Sequence, residues 1–497
     1  MIFNLKLSTR KLTAFHPKEK SAVVTFLLKK NLQKQLKELT ATLNLPEGWL
    51  TPDFINSDND LLELTPMNKG ILNLFIFLIE DPQKITTDYF RNQLALIPSR
   101  LAKSRVNSLQ ILMPEYEVFK NTFEEKEYFF RSIMEGIQLG NYDFNKYKSE
   151  KKKPRKLEVI YYANSTDLKK ALNITGQLVD SVYFARDLVN EPAITLTPQE
   201  LARRVKNKFK KSSVKVKTIG YDELKKLKMN AILSVGAGSS NKPLMILLHY
   251  KPAKALKKFA FVGKGVTYDS GGLSIKPTDH MAEMKADMAG AAVVIGSIDA
   301  AQKLNLPFEI YGVIPAVENL IGGNSYKPGD IVSTSSGKTI EVLNTDAEGR
   351  IILADALEFA SRKNPDVIID FATLTGASVV ALGELMAGLF TKSDELREKL
   401  LLAGKKSYEN LWALPFSDEY AKLLKSNIAD IKNLGSRWGG AITAAKFLEF
   451  FVDENIDYAH IDIAGPALKN DFTNYWKKWN TGFGIRLMFE YLNSLKI

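Results

Sequence analysis

Within Asn344-Thr345-Asp346-Ala347-Glu348-Gly349-Arg350, two carboxylates and a guanidinium fall inside five consecutive residues. Upstream lies a second charged cluster, Lys264, Asp269, Lys276 and Asp287, set among glycines at 263, 265, 271 and 272. Asp346 and Glu348 are two apart, so in an extended segment both side chains leave the same face. Two carboxylates held together repel, and one protonates unless a cation lies between them. Four acids and two lysines, with no cysteine and no HExxH pair, describe a hard, oxygen-rich site. Such a site suits two divalent metals roughly 3.5–4 Å apart. It is a catalytic constellation.

Taken singly, each residue has a plainer reading. Asp287 precedes an apolar helical run and would be favoured there by the helix dipole alone; beside the other clusters it reads as a ligand. Lys264, between two glycines after a buried strand, is badly placed for a solvated surface charge. An adjacent metal favours its neutral amine, which could then ligate. Lys276, in Ser274-Ile275-Lys276-Pro277, could stay charged and stabilise a developing oxyanion. Arg350 offers a rigid fork for a carboxylate-like anion. Gly263-Lys264-Gly265 matches neither the phosphate-loop nor the dinucleotide spacing. Of the four histidines, His249 and His460 sit in or beside apolar strands and read as hydrogen-bonded structural groups. His16 carries no signal, and His280 lies between Lys276 and Asp287, where a role near substrate is open.

The elements that must position these residues alternate. Beyond residue 190, strands are expected at Ile232–Val235, Met245–Tyr250, Phe259–Val262, Phe308–Val313, Ile340–Leu343, Val367–Phe371 and Tyr458–Ile461. Helices are expected at Pro198–Lys210, Met288–Lys303, Ala354–Lys363, Asp394–Gly404 and Ala441–Val452. Alternation with continuously apolar strands implies an α/β fold with a mostly parallel, helix-covered central sheet. Ligands then sit beyond the carboxyl ends of the strands, where Lys264, Asp346 with Glu348, and Thr373-Leu374-Thr375-Gly376 all fall. Residues 1–163 read as a smaller, auxiliary α/β domain, with strand-like runs at Val23–Leu28, Ile71–Ile79, Leu109–Met113 and Leu157–Tyr162. Apolar residues at helical spacing from Asp167 to Leu188 predict a long linking helix (residues 164–188), ended by Asn190-Glu191-Pro192. Residues 189–497 form the expected catalytic domain.

At 497 residues the chain is too long for one core, and 45% apolar with 25% charged residues is an ordinary globular profile. Disulfides and thiolate metal sites are excluded by the absence of cysteine. No secretory h-region opens the chain, and the longest apolar run, Ile71–Ile79, is too short to span a bilayer. A cytoplasmic protein without membrane association is the expectation. The net charge is +12, half of it concentrated between Lys146 and Lys156. That segment reads as a solvated linker, with a nucleic-acid-binding patch as the alternative.

At its charged clusters the chain resembles the leucine aminopeptidase (cytosol aminopeptidase) family of dinuclear metallopeptidases. Asn344–Arg350 reads as the family's signature heptapeptide. Val262–Gly265, Asp269–Gly272, Ile275–Pro277 and Met284–Met288 resemble its metal and lysine block. Family-like segments continue at Arg186–Pro192, Pro328–Asp330, Ala372–Gly376, Ala429–Asn433, Gly439–Phe447 and His460–Gly465. The resemblance implies a tight metal site of Lys264, Asp269, Asp287 and Glu348, and an exchangeable one of Asp269, Asp346 and Glu348. It implies that Lys276 steadies the tetrahedral intermediate, and that Arg350 with the amides of Ala347, Gly349 and Leu374 holds a bicarbonate general base. Met284, Asn344, Thr373, Gly376 and Ala464, with Leu468, would line the substrate site and suit a leucine- or methionine-like first residue. Manganese or zinc are the implied ions, with magnesium also open; the oxygen-rich set leans toward manganese. The implied activity is removal of N-terminal residues from peptides with a free amino end, by a homo-hexamer. Some relatives also bind DNA, which keeps the basic segment's alternative open. Thr278-Asp279-His280 and Leu320-Ile321-Gly322-Gly323 depart from the family pattern and bear on side-chain preference.

Overall fold

A computed structural model describes residues 1–46, 49, 60–65, 70–150, 153–468, 473–476 and 480–496. The chain divides into two compact units, one of Met1–Val179 with Thr473–Lys477 and one of Asp180–Phe472 with Lys478–Ile497. The division falls inside the helix Asp167–Asn190. Among the described residues no helix is long and apolar enough to cross a membrane. Lys151 and Lys152 of the basic segment lie outside the described residues.

The first unit is built on β1 (Phe3–Arg10), β2 (Ser21–Leu28), β3 (Leu61–Leu64), β4 (Ile71–Ile79), β5 (Ser108–Leu112) and β6 (Arg155–Tyr162). They pair in the order β1-β6-β5-β2-β4-β3, all parallel except the antiparallel β3–β4 contact. An aromatic core with Phe90, Phe119 and Phe129 packs against the helix Lys126–Gly140. A second cluster contains Leu32, Leu39 and Leu43 of the helix Leu32–Leu43. β4 is apolar except at Asn73 because it is buried almost end to end.

The second unit holds a nine-stranded sheet. Its strands are β7 (Lys215–Ile219), β8 (Leu244–Tyr250), β9 (Lys257–Gly263), β10 (Gly265–Asp269) and β11 (Phe308–Asn319). After β12 (Ile331–Ser333) and β13 (Thr339–Glu341) come β14 (Val367–Ala372), β15 (Ala387–Thr391), β16 (Leu411–Ala413), β17 (Ile431–Lys432) and β18 (Asp457–Asp462). The order is β16-β15-β18-β14-β9-β11-β8-β7, with β10 on β11, while β12, β13 and β17 form a small sheet of their own. The centre, β18-β14-β9-β11-β10, is parallel. The antiparallel contacts, β8–β11, β7–β8 and β15–β18, lie toward its margins. The sheet is thus mostly parallel, as the alternating pattern implied.

Three expectations are corrected. Ile232–Val235 is not a strand but part of the helix Asn230–Val235; so short a run does not reveal its period. The helix expected from Ala354 begins six residues earlier, at Glu348. Asp346 and Glu348 therefore do not share an extended segment: Asp346 lies in a turn, and Glu348 opens the helix, where its charge suits the dipole.

Candidate functional site

Three parallel strands deliver their next residues to one end of the sheet. β9 ends at Gly263 and hands on Lys264; β10 ends on Asp269; β14 ends at Ala372, before Thr373. The Lys264 amide donates to the Phe371 carbonyl at 3.0 Å, and the Ala291 amide donates to the Lys264 carbonyl at 2.9 Å. The helix Ala289–Lys303 is thereby tied to the strand ends. The helix Glu348–Ser361 brings Glu348 and Arg350 from another direction. A Cβ at Gly349 would lie 2.4 Å from Lys264 Cε, so any larger residue there would displace the Lys264 side chain.

The charged residues meet in two connected groups. Lys264 Nζ is 2.7 Å from Asp287 and 2.9 Å from Glu348 Oε1, and it donates to the Thr373 carbonyl at 3.0 Å. Lys276 Nζ is 2.9 Å from Asp269 Oδ2 and 2.5 Å from Asp346 Oδ1. Ligand oxygens of Asp269, Asp346 and Glu348 all lie within 4.8 Å of one another. Asp287 stands outside that trio, across Lys264, and accepts from Thr373 Oγ1 at 2.7 Å. Exposure differs sharply across the site. The Asp346 side chain is 33% exposed and that of Lys276 16%, against 4% for Lys264 and 1% for Glu348. Access is from the Asp346–Lys276 side.

Electrostatics show a shortage of positive charge. Burial raises the carboxyls of Asp269, Asp287 and Asp346 above the ordinary range; neighbouring acids add to this, and the two lysines only partly offset it. Burial alone would lower Lys264 and Lys276, yet the surrounding carboxylates outweigh it and hold both above the usual lysine range. Glu348 Oε2 is buried with no hydrogen-bond partner. Four acids facing two lysines, with an unpartnered buried carboxylate oxygen among them, fit divalent cations: hard oxygen donors match hard ions.

Arg350 lies beside this group. Burial lowers its guanidinium to about 10 despite Glu348 and Asp462. One nitrogen donates to the Asn433 carbonyl at 2.8 Å, while Nε is buried without a partner. The Leu374 amide donates to Asp462 Oδ1 at 3.1 Å, as does that of Ala464. The Ala347 amide donates to the Asn344 carbonyl at 3.3 Å, and Asn344 Oδ1 accepts from the Asp346 amide at 2.8 Å. Met284 opens a single 3₁₀ turn ahead of Asp287, and Gly376 opens the helix Gly376–Leu382. Leu468 lies outside these contacts, in an isolated bridge with Asn480.

The histidines are not drawn in. His460 Nδ1 is 2.8 Å from Asp370 Oδ1 inside the sheet, and His249 is 2.8 Å from Glu309 and stacked on Tyr311. His280 is exposed on a short helix, Thr278–Met281. Four supporting residues carried no role in the sequence reading: Asp462, Asn433, Asn319 and Tyr326. Asp462 and Asn319 each close an apolar strand, and a polar residue at a strand's carboxyl end is the signal that marks them.

Comparison with known proteins agrees with this geometry. The model of the cytosol aminopeptidase family, catalytic domain, matches residues 183–489. A probable cytosol aminopeptidase of Chloroherpeton thalassium is 39% identical over 494 residues, covering 96% of this chain and 97% of its own. Among solved structures, the cytosol aminopeptidase of Coxiella burnetii is 34% identical with a TM-score of 0.82, covering 98% of this chain and 99% of its own. The bottromycin maturation enzyme BotP in complex with Mn is 30% identical with a TM-score of 0.82, covering 96% and 99%.

Proposed function

The chain belongs to the cytosol aminopeptidase family and is a metal-dependent hydrolase of peptide amino ends, and from that premise we propose how its residues divide the work. Lys264, Asp269, Asp287 and Glu348 would hold one divalent ion, and Asp269, Asp346 and Glu348 a second, more exchangeable one. The observation that carries this is the trio of carboxylates within 4.8 Å, short of cations and containing an unpartnered buried oxygen. Manganese suits the oxygen-rich set, with zinc or magnesium as the other candidates. When bound, the ions would supply Lewis acidity and a nucleophile at neutral pH, and bicarbonate would supply the general base.

The chain's own groups do the rest. Lys276 is kept charged by Asp269 and Asp346 and is the cation available to a developing oxyanion. Asp287 accepts from the substrate's free α-amine, which selects chain ends. Arg350, with an uncommitted buried Nε, holds the bicarbonate anion together with the backbone at Ala347, Gly349 and Leu374. Met284, Asn344, Thr373, Gly376 and Ala464 line the pocket for an apolar first residue such as leucine. A homo-hexamer in the cytoplasm, with the N-terminal unit in an auxiliary role, completes the reading. Nothing among the described residues favours the nucleic-acid alternative, and it is not carried forward.

The test compares leucyl, methionyl and alanyl peptides with their N-acetylated forms on manganese-loaded protein. Free peptides are expected to be cleaved from the amino end and blocked ones spared; equal rates on both would overturn the amine recognition.

A further inference from the structure

The three carboxylates of the more exchangeable position ride on two separate pieces of chain. Asp269 closes β10 ahead of the turn that carries Lys276, whereas Asp346 and Glu348 follow β13, Glu348 opening a helix. Ligand spacing therefore depends on whatever fixes one piece against the other. Thr345 is fully buried between them. Its Oγ1 donates to the Gly271 carbonyl at 2.7 Å and accepts from the Ser274 amide at 2.8 Å. Its own amide donates to Ser274 Oγ at 3.2 Å. Its carbonyl, in the peptide leading to Asp346, accepts from Tyr326 Oη at 2.7 Å and Asn319 Nδ2 at 3.0 Å. The same Asn319 Nδ2 donates to Asp269 Oδ1 at 2.8 Å. One amide group thus touches a carboxylate on the first piece and the backbone beside a carboxylate on the second. The fit is tight: at Gly272 (φ +62°) a Cβ would lie 2.9 Å from Asn319 Oδ1 and 3.0 Å from Thr345 Oγ1.

We propose that Thr345, backed by Asn319 and Tyr326, is a positioning residue that sets the separation of Asp269 from Asp346 and Glu348, and so governs occupancy of the more exchangeable metal position. This rests on the reading of those three acids as metal ligands. The hydroxyl both donates and accepts across the join, so a valine of nearly the same volume would strand the Gly271 carbonyl and the Ser274 amide. The two pieces would then be free to drift, and the exchangeable position, whose ligands Asp269, Asp346 and Glu348 all come from these two pieces, would weaken most. The tight position shares Asp269 and Glu348 but keeps Lys264 and Asp287, which are held to each other at 2.7 Å and which Thr345 does not touch, so it would weaken less.

The experiment titrates metal-free full-length protein with Mn²⁺, reading free Mn²⁺ by electron paramagnetic resonance, alongside thermal unfolding and the Mn²⁺ dependence of kcat. For Thr345→Val the weaker of two Mn²⁺ affinities should fall about 10–100-fold, the usual cost of losing an outer-shell partner. The tighter affinity should fall by a clearly smaller factor, kcat should recover at saturating Mn²⁺, and Thr345→Ser should restore binding. Unaltered affinities in Thr345→Val, or equal losses in the valine and serine variants, would overturn the proposal. Should Thr345→Val fail to fold, Tyr326→Phe removes one of the two donors to the same carbonyl. A smaller weakening of the same position is then expected, and unchanged binding overturns the proposal. Wild-type protein that takes up no Mn²⁺ would instead overturn the metal-centre reading itself, and the positioning role with it.

Discussion

The helix Glu348–Ser361 buries acids at both ends, and they live in opposite circumstances. At its start, Glu348 and the neighbouring Asp346 face lysine ammonium groups, and Glu348 keeps an oxygen with no partner. Two turns on, Asp355 accepts from the backbone amides of Ile232 at 3.1 Å and Ser335 at 2.8 Å. Glu358 is surrounded by Thr334, Ser335 and Ser336, accepting from their hydroxyls and from the Ser336 amide. The second pair is satisfied by neutral donors and staples a loop to the helix. The first is arranged around a deficit of cations. A buried acid is therefore not by itself a sign of chemistry; what surrounds its oxygens decides.

Substitutions at the two ends should separate these roles. The largest effect belongs to Glu348→Ala, which should cost on the order of 10³-fold or more in peptide hydrolysis. Its unfolding temperature should stay close to wild type, because the buried acid it removes is an electrostatic liability; a collapse of the fold would break the comparison. Lys276→Met should lower kcat about 100-fold with KM little changed, as expected for a group acting on the transition state. At the other end, Glu358→Ala should leave metal uptake intact while costing about 1–3 kcal/mol for the donors it strands, read by urea unfolding.

The most gradual effect is a pH slope. Burial raises the Asp355 carboxyl to about 7, outweighing its backbone hydrogen bonds. Between about pH 4 and 7 the folded protein holds a proton there that the unfolded chain has lost. Stability from this group should thus decline as pH rises through that window, by on the order of 1 kcal/mol per pH unit, and level off above it. Asp355→Asn should flatten that part of the profile.

The sequence carried the chemistry further than the geometry. Residue types at strand ends identified Lys264, Asp269, Asp346 and Glu348 as companions, and the strands β4, β9, β14 and β18 were recognisable by the largely apolar stretches that burial on both faces imposes. The start of the helix at Glu348 was hidden because its first turn reads as a charged loop. Ile232–Val235 was misassigned because four residues of a six-residue helix are too few to display a helical period. Asn319, Tyr326 and Asp462 act through contacts with residues tens of positions away, and no local pattern encodes such partners.

The account's central claim is that the cation-poor end of this helix is a dinuclear metal centre. Its most direct test is the metal content of wild-type, Asp346→Ala and Glu358→Ala proteins after dialysis against Mn²⁺ and removal of free ion. Two ions per chain in wild type and Glu358→Ala, with at most one in Asp346→Ala, is the expected result. A wild-type chain without bound metal, or an Asp346→Ala variant that still holds two ions, would contradict it.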